Sequence, residues 1–255
     1  MYKGFNLDLT FNENEINKFY EIGLATFKLN KNKVSKTLKD LILTNGNFDG
    51  AKMQKNWFPQ IQADIFISHS HKDEKTAITL AGFLDLSFGI KTFIDSCIWG
   101  YSNDLLKLID DQFCLQDDGY YNYQKRNFST SHVHMMLSTA LSMMIDNTEC
   151  LFFLNTPNSV TTSDAINSTL SPWIYSEITM SKLIRKKKLT NYRTENLRMF
   201  SEGAKIQLNE SIEYKLDIYH LTNIKKMDLT NWLSAYNQQK TKYPIDTLYR
   251  QQQIT

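Results

Sequence analysis

The chain has 255 residues, of which 42% are hydrophobic and 22% are charged, a composition that supports a packed core and excludes global disorder. Its 29 basic and 27 acidic residues leave a net charge of only +2, which argues against a protein that binds nucleic acid through the phosphate backbone. No stretch approaches the roughly 20 apolar residues of a membrane helix, and the first residues lack the pattern of a signal peptide. We therefore expect a cytoplasmic protein with no membrane partner.

The first part of the chain, residues 1–62, differs in pattern from the part that follows. Apolar residues recur there at helical spacing, from Ile16 to Phe27 and again from Val34 to Ile42. We expect this part to be a helical extension that either packs on the main domain or mediates self-association, and of these two roles we favour packing.

The main domain is expected over residues 63–237, where short apolar strands alternate with amphipathic helices. Strands are predicted at 64–68, 91–95, 150–154, 197–200 and 216–220. The connecting elements are predicted as helices after 74, 131, 172 and 229, an insertion at 114–130 and a polar loop at 155–171, followed by a frayed tail at 238–255. Five strands alternating with helices predict an α/β fold with a doubly wound, flavodoxin-like parallel sheet.

In such a sheet, ligands bind beyond the carboxyl ends of the strands. Three segments follow predicted strands in this way: 68–73, 95–101 and 155–177. The first segment has no glycine-rich pattern for holding phosphate. His132 and His134 lie two apart on a predicted helix and point to different sides, so they make a poor metal pair. We expect neither a metal nor a bound cofactor.

Three motifs in these segments resemble, in order, the signature boxes of the TIR (Toll/interleukin-1 receptor) domain family. They are Asp64-Ile-Phe-Ile-Ser-His-Ser, Phe93-Ile-Asp95 and Ser171-Pro-Trp-Ile-Tyr-Ser-Glu177-Ile, and the resemblance covers about residues 63–237. Many bacterial members of that family cleave NAD at the nicotinamide–ribose bond, with an essential glutamate four positions after a tryptophan on the helix that follows the third strand. Glu177 and Trp173 occupy those positions, and residues four apart on a helix share one face. The resemblance therefore implies that Glu177 is catalytic and that Trp173 borders the substrate.

The same resemblance implies further substrate contacts. Ser68, Ser70 and His71 lie in the first loop, Asp95 ends the second strand, and Trp99 lies in the loop after it. Other interpretations stay open, because Ser70 also suits a helix cap and Asp95 also suits a turn. The loop with Trp99 lacks the proline usual in the family, which puts family-style assembly contacts in doubt.

Cleavage of the nicotinamide–ribose bond can be catalysed by a single well-placed carboxylate. Nicotinamide leaves NAD as a neutral molecule, and the positive charge left on the ribose is stabilised by a nearby carboxylate. Water, the adenine of the same molecule or another nucleophile then captures the ribosyl cation. Glu177 has the alternative interpretation of a solvated charge on a helix surface.

We therefore expect an enzyme that uses NAD as its substrate and yields nicotinamide with ADP-ribose, or with a cyclic or conjugated ADP-ribose signal. The resemblance suggests antiphage defence, in a system such as Thoeris, where a separate effector protein responds to the nucleotide product. Self-association through TIR surfaces is also expected. The alternatives are a non-catalytic TIR interaction module that assembles with other TIR domains, and a receptor that binds a nucleotide signal without turnover.

Overall fold

The computed structural model describes residues 1–31, 49–99, 102–163, 166–193 and 214–252. The strands are β1 (Lys3–Asp8), β2 (Ile65–Ser68), β3 (Thr92–Phe93), β4 (Cys150–Leu154), β5 (Thr161–Ser163), β6 (Ile166–Thr169), β7 (Tyr214–Lys215) and β8 (Thr222–Lys225). The helices are α1 (Glu13–Lys31), α2 (Gly50–Trp57), α3 (Glu74–Phe88), α4 (Asp95–Ile98), α5 (Ser102–Phe113), α6 (Tyr123–Asn147), α7 (Pro172–Leu183), α8 (Lys226–Gln239) and α9 (Pro244–Gln251). In this part of the chain, no helix has both the length and the apolar character needed to cross a membrane.

Five strands form an all-parallel sheet in the order β3-β2-β4-β1-β8. This confirms the predicted α/β fold with a doubly wound, flavodoxin-like sheet. The predicted strands at 64–68 and 150–154 correspond to β2 and β4, which are buried at every position, as expected for parallel strands covered on both faces. The predicted strand at 91–95 is shorter in the structure, because Asp95 already begins α4.

The N-terminal residues enter the sheet. Strand β1 lies between β4 and β8, with Phe5 opposite Phe152 on one side and Thr222 on the other. Phe5 and Leu7 are fully buried. The prediction of a mostly helical extension over residues 1–62 is therefore wrong for its first residues, since these form an inner strand of the main sheet.

Helix α1 coincides with the first predicted helix and crosses α3 very closely. A Cβ atom at Gly82 would lie 1.9 Å from the carbonyl oxygen of Phe19, and one at Gly23 would lie 2.2 Å from that of Ile78. The rings of Phe19 and Phe83 pack edge to face beside this crossing, with centroids 5.4 Å apart. The residues up to Phe27 thus share one core with the rest of the domain. The second predicted helix, from Val34 to Ile42, lies outside the described residues.

The C-terminal part also differs from the prediction. The strand predicted at 216–220 is wrong, because the edge strand β8 forms further along the chain. The strand predicted at 197–200 lies outside the described residues, and the position beside β4 is taken by β1. The tail at 238–255 was expected to be frayed, but it contains α9, in which Leu248 and Tyr249 are buried.

Two segments predicted as an insertion and a loop contain regular secondary structure. Helix α6 begins within the predicted insertion at 114–130, of which residues 115–121 form a short turn closed by a bridge between Leu115 and Tyr121. In the predicted loop at 155–171, β5 and β6 pair antiparallel, and β7 joins them to make a three-stranded sheet.

The strand order fixes where a ligand crevice is expected. The connections from β1 to β2 and from β2 to β3 run one way across the sheet, whereas those from β3 to β4 and from β4 to β8 run the other way. Because such crossovers are right-handed, α1 and α3 cover one face and α5, α6 and α7 cover the opposite face. The observed packing agrees, since α1 contacts α3, and α6 contacts α5 and α7. The connections that leave β2 and β4 run in opposite directions across the sheet, so the carboxyl ends of these two neighbouring strands should border a crevice.

Candidate functional site

Helix α7 directs Glu177 toward this crevice. The helix starts sharply, because the hydroxyl of Ser171 accepts a hydrogen bond from the Ile174 amide at 3.3 Å and a proline occupies the first turn. Ile174, Glu177 and Ile178 recur at helical spacing and form the buried face of the helix. Only 4% of Glu177 is exposed. The alternative interpretation of Glu177 as a solvated surface charge is therefore wrong.

Two of the predicted site residues, Ser68 and Glu177, meet here, and the charge of a third, Asp95, acts on the Glu177 carboxyl. The hydroxyl of Ser68, the last residue of β2, donates a hydrogen bond of 2.6 Å to Oε2 of Glu177. Burial raises the pKa of the Glu177 carboxyl well above its ordinary value, and the charge of Asp95 raises it further, while the Ser68 hydrogen bond opposes both. The protonated form of Glu177 is therefore favoured when no cation lies nearby.

His69 belongs to the same site, although no motif in the sequence singles it out. Its side chain is 8% exposed, and its Nε2 atom has no hydrogen-bond partner among the described residues. Burial lowers the pKa of His69, although the charge of Asp95 opposes this, so the neutral imidazole is favoured. Its position directly after Ser68, in the loop where Ser70 and His71 were predicted to contact substrate, could have pointed to it.

Ser70 and His71 lie further along this loop, at a single 3₁₀ turn, His71–Asp73. Ser70 holds the cap position, but its hydroxyl makes no capping hydrogen bond, so capping does not explain that side chain. His71 is exposed, and its ring centroid lies 6.4 Å from that of His69. Both residues thus flank the site.

Asp73 ties the first loop to the loop that follows β4. Its buried carboxylate accepts hydrogen bonds from the Thr156 hydroxyl at 2.5 Å and from the Asn158 amide at 2.8 Å. These bonds hold together the two loops that extend from the strands on either side of the crevice. No sequence signal identified this contact, because it joins residues more than 80 positions apart.

Trp173 shares helix α7 with Glu177 but packs toward α6. Its half-buried ring meets the ring of His134 edge to face, with centroids 5.6 Å apart. His132 packs on Phe128 instead, so the two histidines of α6 have different neighbours. Among the described residues, no group of three or more His, Cys, Asp or Glu side chains is placed to hold a metal ion.

Trp99, which was predicted to contact substrate, packs into the core in this structure. The residue is 5% exposed, and its indole N–H donates a hydrogen bond of 2.9 Å to the carbonyl oxygen of Pro59. Its ring packs edge to face on Phe58 and Phe93. Trp99 therefore belongs to the core that joins the segment after α2 to β3.

The Glu177 carboxyl is closed off from solvent in this structure. A cleft of about 620 Å³ lies at the same edge of the sheet, but it opens beyond β1, β4 and β8 and Glu177 does not line it. A substrate reaches Glu177 only if the side chains around the carboxyl move aside.

No protein-family model, no curated protein and no solved structure matches this chain. The resemblance to TIR domains thus stays an expectation that rests on the three sequence motifs.

Proposed function

We propose that this protein cleaves NAD at the bond between nicotinamide and ribose, with Glu177 as the catalytic carboxylate. The observation that carries the proposal is the burial of Glu177, hydrogen-bonded to Ser68 and within the influence of the Asp95 charge, at the carboxyl ends of β2 and β4, between which the connections reverse direction. Burying a carboxyl group costs free energy, and two acids close together cost more. Such arrangements concentrate at functional sites, where the perturbed pKa serves the chemistry.

The positive charge of the substrate favours the ionised form of Glu177, which burial disfavours in the free site. The nicotinamide ring of NAD is a cation, and a cation close to Glu177 favours the ionised carboxylate, because opposite charges lower the pKa of an acid. In the proposed step, the bond between C1′ of the ribose and the ring nitrogen breaks, and its electron pair stays on the nitrogen. Nicotinamide leaves neutral, and the carboxylate stabilises the positive charge that develops on the ribose.

Capture of the ribosyl cation completes the reaction. A water oxygen that attacks C1′ and loses a proton gives ADP-ribose. Attack by an adenine nitrogen of the same molecule gives a cyclic product, and another nucleophile gives a conjugate. In each case the first step is the same, and no external oxidant or reductant is needed.

Ser68 and Asp95 act on Glu177 in opposite directions under this proposal. The Ser68 hydroxyl orients the carboxyl and favours its charged form, whereas the Asp95 charge disfavours ionisation until a cation arrives. Asp95 is half-buried at the start of α4, and under this proposal its carboxylate accepts hydrogen bonds from ribose hydroxyls. Ser68 is thus a positioning residue, and Asp95 contributes both to binding and to the pKa of Glu177.

The biological setting follows from the family that the motifs resemble. The product, whether ADP-ribose or a cyclic or conjugated form of it, serves as a signal in antiphage defence. A separate effector protein reads this signal, and self-association of the chain through its TIR surfaces brings the enzyme into its active form.

Chromatography of a reaction mixture tests the proposal. The full chain is incubated with NAD, and the products are compared with nicotinamide, ADP-ribose and cyclic ADP-ribose isomers. The expected result is the release of nicotinamide together with one of these ADP-ribose species. NAD that stays intact, also at protein concentrations at which the chain self-associates, would leave the non-catalytic interaction module as the better account.

A further inference from the structure

The turn between α5 and α6, together with the adjoining ends of both helices, exposes several aromatic side chains. This region, residues 113–128, is called the hairpin tip below. Tyr120, Tyr123 and Phe128 are 74%, 77% and 67% exposed. Since an aromatic side chain buries about 150–250 Å² when it is covered, these three offer roughly 400 Å², about half of what each partner buries in a standard protein–protein interface. Apolar surface of this size in one region is typical of interaction sites.

Hydrogen bonds hold the backbone of the hairpin tip in place. The amide of Asn122 donates to the carbonyl oxygen of Cys114 at 2.7 Å, which closes the turn. At its base, the buried carboxylate of Asp110 accepts hydrogen bonds from Nε of Arg126 at 2.8 Å and from the hydroxyl of Ser129 at 2.6 Å. Aromatic side chains on an ordered backbone lose little conformational entropy when a partner covers them, which favours binding.

The hairpin tip is also acidic. Residues 108–124 contain four aspartates and no lysine or arginine. Asp110 and Asp111 bond to side chains of the tip itself. Asp117 and Asp118 are exposed in the turn. A partner surface that combines positive charge with apolar side chains would therefore complement the tip.

A surface of this kind lies at the end of α7. Residues 182–188, called the basic segment below, contain five lysines and arginines and no acidic residue. Three exposed cations of the segment form no ion pair with any other described residue: Arg185, Lys186 and Lys188. Leu183 adds apolar surface, since it is 72% exposed. Lysine and arginine are attracted to the faces of tyrosine rings, so the basic segment matches the hairpin tip in charge and in apolar surface.

The two surfaces lie at opposite ends of α6. The hairpin tip contains the first turn of this helix, which begins at Tyr123. In the basic segment, Nζ of Lys187 donates hydrogen bonds of 2.6 Å to the carbonyl oxygen and the carboxylate of Asp146, in the last turn. At a rise of 1.5 Å per residue, Tyr123 and Asp146 are about 35 Å apart along the helix. The tip and the basic segment of one chain therefore cannot meet, and a contact between them requires two chains.

We infer that copies of this chain assemble head to tail, with the hairpin tip of one copy bound to the basic segment of the next. Each added copy leaves one tip and one segment uncovered, so the assembly grows into a filament or closes into a ring. The inference does not rest on NAD cleavage, and neither surface overlaps the three sequence motifs.

Sedimentation velocity of the full chain without NAD, at about 1–200 μM protein, tests the inference. Wild type should form species larger than a dimer at the upper end of this range. The tip variant, Tyr120→Ser with Tyr123→Ser, should weaken the association at least about tenfold, because tyrosines are among the residues that contribute most to interfaces. The segment variant, Arg185→Glu with Lys186→Glu, should weaken it by a similar factor, because two attractions to the acidic tip become repulsions.

Matched controls come from the opposite face of the sheet. Leu86→Ser changes an exposed apolar residue on α3, and Lys28→Glu reverses an exposed charge on α1. Both controls should sediment like wild type.

A mixture of the tip variant and the segment variant tests the head-to-tail arrangement itself. The segment variant keeps an intact tip, and the tip variant keeps an intact segment. An equimolar mixture should therefore form a 1:1 dimer with about the affinity of the wild-type contact, and no larger species. This dimer would also show that both variants are folded.

Four results would overturn the inference. The first is a wild type that stays monomeric, or stops at a dimer, over the whole concentration range. The second is a tip variant that associates like wild type. The third is a segment variant that associates like wild type while the tip variant does not, since two tips then meet in a symmetric dimer. The fourth is the absence of the 1:1 dimer from the mixture.

Discussion

Gly82→Ala tests the crossing of α1 and α3, through which the N-terminal part of the chain joins the core. The added Cβ would lie 1.9 Å from the carbonyl oxygen of Phe19 and 2.8 Å from the amide nitrogen of Gly23. Both are backbone atoms, so no side-chain rotation relieves the overlap. The two helices must separate by more than about 1 Å before ordinary contact distances return.

The expected cost follows from two opposing effects. Alanine favours a helix over glycine by about 1 kcal/mol, which would stabilise the variant at an open position. Overpacking a core costs about 1–3 kcal/mol where side chains adjust, and more where the backbone itself has to move. Separation of the helices also loosens the contact between Phe19 and Phe83. We expect a net loss of at least about 3 kcal/mol in the free energy of unfolding.

Urea unfolding followed by circular dichroism measures this loss. Gly50→Ala is the matched control, because a Cβ there would have its nearest neighbour, Cε of Met136, at 4.0 Å. The control should change the free energy of unfolding by less than about 1 kcal/mol. If Gly82→Ala is as stable as Gly50→Ala, then α1 does not cross α3 at these glycines and the account of the N-terminal part is refuted.

Three further variants probe the ionisation of Glu177. The folded state raises the pKa of the Glu177 carboxyl above its ordinary value of 4.5. The stability that protonated Glu177 contributes is therefore fully present below pH 4.5 and is lost as the pH rises through the folded-state pKa. The loss is about 1.4 kcal/mol for each unit by which the pKa is raised. Thermal unfolding between about pH 5 and 8 should therefore show a smaller decline with pH for Glu177→Gln than for wild type, and equal slopes would contradict the raised pKa. Ser68→Ala removes a hydrogen bond that lowers the pKa of Glu177, whereas Asp95→Asn removes a charge that raises it. Under the proposal that the carboxylate is the active form, the pH of half-maximal nicotinamide release should move up in Ser68→Ala and down in Asp95→Asn, and movement in the same direction would refute the assigned roles.

The fold was predictable where the local sequence pattern of a segment is enough to identify its secondary structure. The run at 150–154 is apolar at every position, a pattern typical of a parallel strand buried on both faces. Strand β1 is different, because Phe5 and Leu7 alternate with polar residues over a short stretch that precedes a long helical pattern. Its place in the sheet depends on pairing with β4 and β8, which lie more than 140 positions away in the sequence. Such pairing leaves little trace in the local pattern.

The site was predictable to the same extent. Glu177, Ser68 and Asp95 were found because each lies at a strand end or in a motif with fixed spacing, and the parallel sheet brings strand ends together. The packing of Trp99 could not be predicted, because its burial depends on Pro59 and on the aromatic residue before it, in a segment that the motifs do not include. Tertiary packing decides whether an aromatic residue in a loop contacts a ligand or the core.

The most direct test of the central claim is the rate of nicotinamide release from NAD by wild type and by Glu177→Gln, measured on folded protein at equal concentration and pH. Glu21→Gln, which changes an exposed carboxylate on α1, serves as the matched control. The account predicts that Glu177→Gln lowers the rate by about 100-fold or more, as expected when a group that stabilises transition-state charge is removed, while Glu21→Gln matches wild type. Equal rates for wild type and Glu177→Gln would show that the buried glutamate takes no part in the reaction.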